Sequence, residues 1–168
     1  MMSDDLPSLF LFDRWANARV IDACRKLSDA DYKREPVPGW ASTHTTMVHI
    51  AAGTDAWSRR FEAEDVTSLV KVDQVPSLDA VAQLLEVAYG RIDRLLAVLT
   101  FEGLTEVRTF VNSKREAKRF PMWAALRHVV NHATYHRGQV ASKLKLLGVE
   151  PPITDFAAWA FEQTEPKG

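Results

Sequence analysis

Three of the five histidines in this 168-residue chain, His128, His132 and His136, follow one another at intervals of four residues. On an α-helix this spacing stacks the side chains along one side, and imidazole nitrogens are common ligands of divalent transition metals. Four residues of helix rise about 6 Å and eight rise about 12 Å, so one ion bound at about 2.0–2.1 Å can join neighbours in the series but not its two ends. The spacing therefore indicates a metal site on either His128 and His132 or His132 and His136.

The apolar residues of the same segment help to choose between these two pairs. At about 100° per residue, His136 lies about 60° from the mean apolar direction, His132 about 100° and His128 about 140°. His132 and His136 therefore point toward the predicted interior, and we choose this pair. A third ligand has to come from another helix, where His44 and His49 both lie about 110° from the apolar face on opposite sides. We favour His49 because it lies well inside that helix, whereas His44 lies in the first turn.

Three neutral imidazoles suit zinc or nickel first, with iron, manganese or copper as alternatives. They leave at least one coordination position open for water or a small-molecule substrate, which is typical of a catalytic rather than a structural site. No catalytic residue is assigned. The candidates for a general base, none of them selected by its spacing, are His44, Glu62, Asp55 and Asp13.

Four long amphipathic segments have to position these histidines. Apolar residues recur every three or four positions over residues 6–27, and the next segment is predicted to begin with Thr43 as N-cap. Ser77 is the predicted N-cap of the third segment, whose apolar spacing is the most regular in the chain and typical of a bundle helix. Pro121 suits the first position of the last long helix and Gly148 its C-terminal cap.

The connecting segments complete the predicted architecture. Residues 31–42 are predicted as a loop, and residues 104–120 as a short β-hairpin that turns at Asn112 and Ser113. A short helix is predicted to start near Thr154 or Asp155. The expected fold is an all-α antiparallel four-helix bundle, with the hairpin inserted before the last long helix and a short C-terminal helix. We expect one domain over residues 1–168.

Composition and charge exclude several classes of partner. Hydrophobic residues make up 46% and charged residues 26% of the chain, which is ordinary for a globular protein. The net charge is −1, so we expect no nucleic-acid partner. No apolar run approaches the roughly 20 residues that span a bilayer, so we expect no membrane partner either. A single cysteine, Cys24, and an N-terminus without basic residues fit a cytoplasmic location.

Arg137 lies only about 40° from the apolar direction of its helix, so its guanidinium is expected to be buried. A buried guanidinium needs a carboxylate partner. Asp155, just beyond the end of the helix, and Asp13, in the first helix, are the two candidates. We favour a structural ion pair at this position over a contact with substrate.

The run from His128 to Gln139, HVVNHATYHRGQ, resembles the signature of the DinB / YfiT-like family of bacterial metalloproteins. The Trp15-Ala16-Asn17 triplet, the isolated His49 and the tail over residues 147–156 also look like that family, and the resemblance extends from about residue 9 to about residue 161. It implies a homodimeric four-helix bundle. It also implies a metal site whose ligands match His49, His132 and His136.

The resemblance also bears on activity. The best-understood relatives are thiol S-transferases that use a low-molecular-weight thiol such as bacillithiol or mycothiol, and others look like metal-dependent hydrolases. We therefore expect a divalent-metal-dependent enzyme that acts on a small electrophilic substrate, either as a thiol S-transferase with such a thiol as cosubstrate or as a hydrolase. The alternative is a non-catalytic, metal-binding homodimeric bundle that serves as a sensor or scaffold.

Overall fold

Four long helices form the body of the molecule, which the computed structural model describes over residues 2–111 and 115–164. They are α1 (Met2–Cys24), α3 (Thr43–Phe61), α4 (Leu78–Val98) and α6 (Met122–Leu146). Helices α1 and α3 each pack against both α4 and α6, which closes the four into a bundle around one apolar core. The predicted all-α antiparallel four-helix bundle is confirmed.

Shorter elements connect and flank these helices. They are α2 (Asp29–Lys33), a single 3-10 turn (Val72–Gln74), α5 (Phe101–Thr105), β1 (Val107–Val111), β2 (Ala117–Pro121) and α7 (Phe156–Thr164). Strands β1 and β2 pair antiparallel, with Val107 opposite Pro121 and Val111 opposite Ala117. The predicted hairpin and C-terminal helix are therefore present. The turn predicted at Asn112 and Ser113 lies outside the described residues.

The N-terminal half differs from the prediction in the end of α1, the presence of α2 and the N-cap of α3. Helix α1 ends at Cys24, three residues before the predicted end, because Lys26 and Leu27 already hydrogen-bond in a tighter turn. Helix α2 was not predicted and occupies the start of the segment expected to be a loop. The N-cap of α3 is Ser42 and not Thr43, since the Ser42 hydroxyl accepts the Thr45 amide at 3.0 Å and Thr43 is already helical.

The later helix ends follow the prediction more closely. The Ser77 hydroxyl accepts the Ala80 amide at 3.2 Å, as expected of the N-cap of α4. Pro121 is the extended N-cap of α6 instead of its first helical residue, because it also ends β2. Gly148 has a φ of +79°, the left-handed conformation that ends a helix and favours glycine. Helix α5 was not predicted.

The packing of α3 on α6 is the part of the fold that positions the candidate site. The two helices run antiparallel side by side, so that residue 49 of α3 faces residues 132 and 136 of α6. The hairpin lies against the same pair of helices, where Phe110 contacts Trp57 of α3. Within the described part of the chain, no helix has the length and apolar character needed to cross a membrane.

Candidate metal centre

His49 of α3 meets His132 and His136 of α6 in a compact cluster. The Nε2 atoms of His49 and His132 are 3.1 Å apart. The ring of His136 lies 4.4 Å from that of His49 and 4.5 Å from that of His132, measured between ring centroids. One ring nitrogen from each residue lies within 4.8 Å of the other two. The structure thus brings together the three predicted ligands, and their binding of a metal ion stays a prediction.

The chemistry of the cluster fits a divalent transition metal. Two nitrogens bound to one tetrahedral ion at about 2.0–2.1 Å lie about 3.3 Å apart, close to the observed separation of the His49 and His132 nitrogens. Burial, and to a smaller extent the neighbouring histidines, lower the pKa of His132 to about 4. Burial and then His136 also lower the pKa of His49. Both rings are therefore neutral near pH 7 and keep the lone pairs that a metal needs.

Gln139 fixes the tautomer of His136. The Nδ1 atom of His136 donates to Oε1 of Gln139 at 2.9 Å, which leaves Nε2 as the nitrogen with a free lone pair. The two residues are three positions apart on α6, so they lie on the same side of the helix. That spacing is the sequence signal for Gln139, although the prediction did not assign it a role.

Gly53 allows the ring of His132 to approach α3. A Cβ atom at this position would lie 3.1 Å from Cε1 and 3.4 Å from Nδ1 of His132. Such contacts are tighter than ordinary van der Waals packing, so any side chain here would push the ring away. Gly53 lies one turn after His49 on the same helix, and the sequence analysis did not identify it.

The two remaining histidines lie outside the cluster. His44 is buried and its Nε2 donates to the backbone carbonyl of Val75 at 2.7 Å, so it joins the start of α3 to the chain before α4. His128 is exposed, and its ring packs 5.2 Å from that of Trp57 and 5.7 Å from that of His132. The contacts of His44 are structural, and His128 lines the edge of the site.

Each of the four candidate general bases is engaged elsewhere. His44 binds the carbonyl of Val75. The carboxylate of Asp55 pairs with Arg91 at 2.7 Å, and that of Glu62 pairs with Arg94 at 3.1 Å. Asp13 is fully buried in an ion pair with Arg137. None of these groups faces the histidine cluster with a free acceptor, so the structure gives no support for a protein-borne base among them.

Arg137 forms its ion pair with Asp13. In the sequence analysis, Asp13 and Asp155 were alternative partners. Arg137 and Asp13 are both buried, and Tyr89 of α4 donates to the second carboxylate oxygen of Asp13 at 2.7 Å. Asn17 of α1 accepts from Arg137 at 3.2 Å. This network joins α1, α4 and α6 at the residue that follows His136, and so it helps to fix the position of the histidine-bearing helix.

A cleft of about 340 Å³ opens beside the cluster, between α3, the hairpin and α6. His49 and His132 are among its lining residues, and its surface is mainly apolar. Its other lining residues include Trp57, Arg60, Phe110, Lys118 and Phe120. A ligand in this cleft would lie directly against the ring nitrogens of the cluster.

Comparison with known proteins shows a matching family and a similar bacterial protein. Over residues 2–167 the sequence matches the DinB family. The protein named DinB of Bacillus subtilis (strain 168) is 23% identical over 165 residues, which cover 95% of this chain and 96% of that protein.

Solved structures show the same fold. A DinB-like protein from Bacillus cereus ATCC 10987 superposes with a TM-score of 0.72 at 19% identity, over 89% of this chain and 95% of that one. The DinB-like protein YjoA of Bacillus subtilis gives a TM-score of 0.62 at 16% identity, over 90% and 98% of the two chains. The match of the family over residues 2–167, nearly the whole sequence, establishes that the chain belongs to the DinB family.

Proposed function

We propose that this protein is a metal-dependent enzyme that transfers a low-molecular-weight thiol, or water, to a small electrophile. His49, His132 and His136 would hold one divalent ion, with zinc or nickel as the first candidates. The observation that carries the proposal is a cluster of three partly exposed imidazoles, of which His49 and His132 also line an apolar cleft. A purely structural site would use four protein ligands and be closed to solvent.

The residues around the cluster have separable tasks. His136 is held in one tautomer by Gln139, and the aromatic side chains of the cleft would hold the apolar part of a substrate. When bound, a divalent ion acts as a Lewis acid that lowers the pKa of a thiol or water sharing it.

The thiol has to come from solution. Cys24, the only cysteine of the chain, is buried, and burial raises the pKa of its thiol to about 12. It is therefore protonated and inaccessible near neutral pH. In the transfer, a sulfur lone pair of the incoming thiol forms the C–S bond and the thiol proton passes to solvent. The leaving group departs with the electron pair of the bond that breaks.

The test is a rate measurement on protein purified without a nickel column. Zinc-loaded, nickel-loaded and metal-free protein are each mixed with monobromobimane and with cysteine, bacillithiol or mycothiol, and the fluorescent thioether is followed. We expect turnover only with metal, loss of turnover in His49→Ala, and a rate that rises with pH through one ionisation below that of the free thiol. Equal rates with and without metal and in His49→Ala would leave a non-catalytic metal-binding bundle as the better description.

We also propose that the protein is a homodimer. Large apolar side chains are exposed on two helices that pack together, Leu11 on α1 and Phe156 and Phe161 on α7. An apolar surface of this kind is typical of a contact between subunits. Light scattering at micromolar concentration tests the proposal, and the mass of a monomer would contradict it.

A further inference from the structure

Arg60 places an unpaired positive charge in the cleft beside the histidine cluster. Its Nη2 donates to the carbonyl of Val66 at 3.0 Å, and its guanidinium carbon lies 5.2 Å from the centroid of the Trp57 ring. The Nε atom is buried and has no hydrogen-bond partner among the described residues. No carboxylate whose side chain is described, over residues 5–111 and 115–164, comes within 4.0 Å of this guanidinium, so none of these groups neutralises its charge.

The neighbouring arginine shows what is unusual about Arg60. Arg59 donates to Glu64 at 2.7 Å, and this carboxylate raises its pKa. Burial instead lowers the pKa of Arg60. A guanidinium stays protonated in either case, so Arg60 is a cation partly removed from water without a counter-ion. Such a group binds a carboxylate or another planar anion strongly, because a charged ligand supplies the missing partner.

The rest of the cleft determines the shape of the ligand. Trp57, Phe110 and Phe120 form an apolar wall, in which the rings of Phe110 and Phe120 are stacked with centroids 5.0 Å apart. Arg60 follows His49 by eleven positions on α3, a rise of about 16 Å along the helix. The two ends of the cleft are thus chemically different and well separated. Lys118 adds a cation at the rim, where it pairs with Glu116 at 3.2 Å.

We infer that the cleft selects an elongated anionic molecule whose negative group binds Arg60 and whose apolar, preferably aromatic, middle packs on the aromatic wall. The reacting atom then lies beside the histidine cluster. This inference rests on the proposed function for the identity of the reacting end, but the recognition of the anion by Arg60 does not depend on that function. Arg60 is thus a specificity-determining residue that binds the ligand but takes no part in bond formation or cleavage.

The test compares two probes of the same shape that differ in charge, naphthylacetate and naphthylacetamide. Each is titrated into the full chain by calorimetry, with zinc bound and after removal of metal, because a carboxylate can also bind a metal ion directly. We expect the metal-free protein to bind the acid at least about tenfold more tightly than the amide, the effect of one hydrogen-bonded charge pair. Arg60→Gln should abolish this preference and keep the affinity for the amide within about twofold, and Arg60→Lys should restore part of it.

Arg59→Gln is the matched control, since Arg59 is the adjacent arginine of the same helix and lies outside the cleft lining. It should bind both probes as the wild type does. The inference is overturned if the wild type binds neither probe or both equally without metal. It is also overturned if Arg60→Gln weakens both probes alike, which would make Arg60 a purely structural residue of the cleft. Because these titrations need no turnover, they succeed or fail independently of the proposed catalysis.

Discussion

Gly53 and His132 are in contact across the interface of α3 and α6, and the space between them is too small for a methyl group. A Cβ atom on Gly53 would come within 3.1 Å of Cε1 of His132. The same ring places its Nε2 3.1 Å from that of His49. The position of one histidine nitrogen in the cluster thus depends on the absence of a side chain on the facing helix.

Gly53→Ala should therefore weaken metal binding. The added methyl group displaces the His132 ring by a few tenths of an ångström, and we expect the affinity for zinc to fall by about tenfold, as when a group that orients a metal ligand is lost. Competition with a chromogenic chelator measures the affinity. The matched control is Gly138→Ala in α6, where a Cβ atom meets nothing within 4 Å. It should leave zinc affinity unchanged and raise the stability by about 0.5–1 kcal/mol. Equal zinc affinities for the two variants would contradict the argument.

Substitution of single histidines should distinguish the ligands of the cluster from the neighbouring His128. His132→Ala should abolish stoichiometric metal, because His132 belongs to both pairs that the helix spacing allows. His128→Ala should keep it, since His128 contacts Trp57 at the edge of the cleft. Elemental analysis of protein purified without a nickel column gives the metal content. Loss of metal in His128→Ala with retention in His136→Ala would move the site one turn toward the start of α6.

The stability of the metal-free protein should fall in mildly acidic solution. An unfolded histidine has a pKa of about 6.5, whereas the pKa of His132 in the folded protein is about 4. Between these values the unfolded chain binds a proton that the folded protein does not, so acidification favours unfolding. The contribution of His132 to stability is complete above about pH 6.5 and is lost as the pH falls toward about 4.

Urea denaturation in the presence of a chelator measures this effect. Comparison of wild type with His132→Gln, at about pH 7 and about pH 5, isolates the contribution of His132 from that of the carboxylates. The variant should lose less stability than the wild type between the two conditions. An equal loss in both proteins would show that His132 is not the residue responsible.

Asp13→Asn should be strongly destabilising. Asp13 is 0% and Arg137 2% exposed, so the substitution leaves a buried guanidinium without its counter-charge at a cost of about 3–5 kcal/mol. The control is Asp5→Asn, which removes the exposed partner of Arg127, where the two side chains are 48% and 42% exposed. That change should cost at most about 1 kcal/mol. Urea unfolding compares the two variants, and similar losses would argue against the structural role of the buried pair.

The sequence predicted those features that depend on periodicity along one helix. The spacing of His132 and His136, and the regular apolar positions of α4, follow from the turn of an α-helix and need no knowledge of neighbouring helices. The caps at Ser77 and Gly148 were also found, because local hydrogen bonds and a positive φ determine them. Helices α2 and α5 were missed since each has only five residues, too few for a periodic pattern.

Features that depend on contacts between distant segments could not be predicted in this way. The importance of Gly53 arises from the distance between α3 and the His132 ring, which no local pattern encodes. Arg60 stands out only because no carboxylate of the described residues pairs with it, whereas Arg59 beside it pairs with Glu64. The choice of Asp13 over Asp155 as partner of Arg137 likewise required the packing of α1 on α6.

Two different parts of the fold line the cleft beside the histidine cluster. The cluster lies on α3 and α6, whose packing also forms the core of the bundle. The facing aromatic wall includes Phe110 and Phe120, which belong to the two-stranded hairpin between α5 and α6. Substitutions in the hairpin can therefore change which molecules are accepted while the bundle and its histidines stay intact. Such a division lets selection, or an engineer, diversify the ligands of one scaffold without rebuilding its histidine cluster.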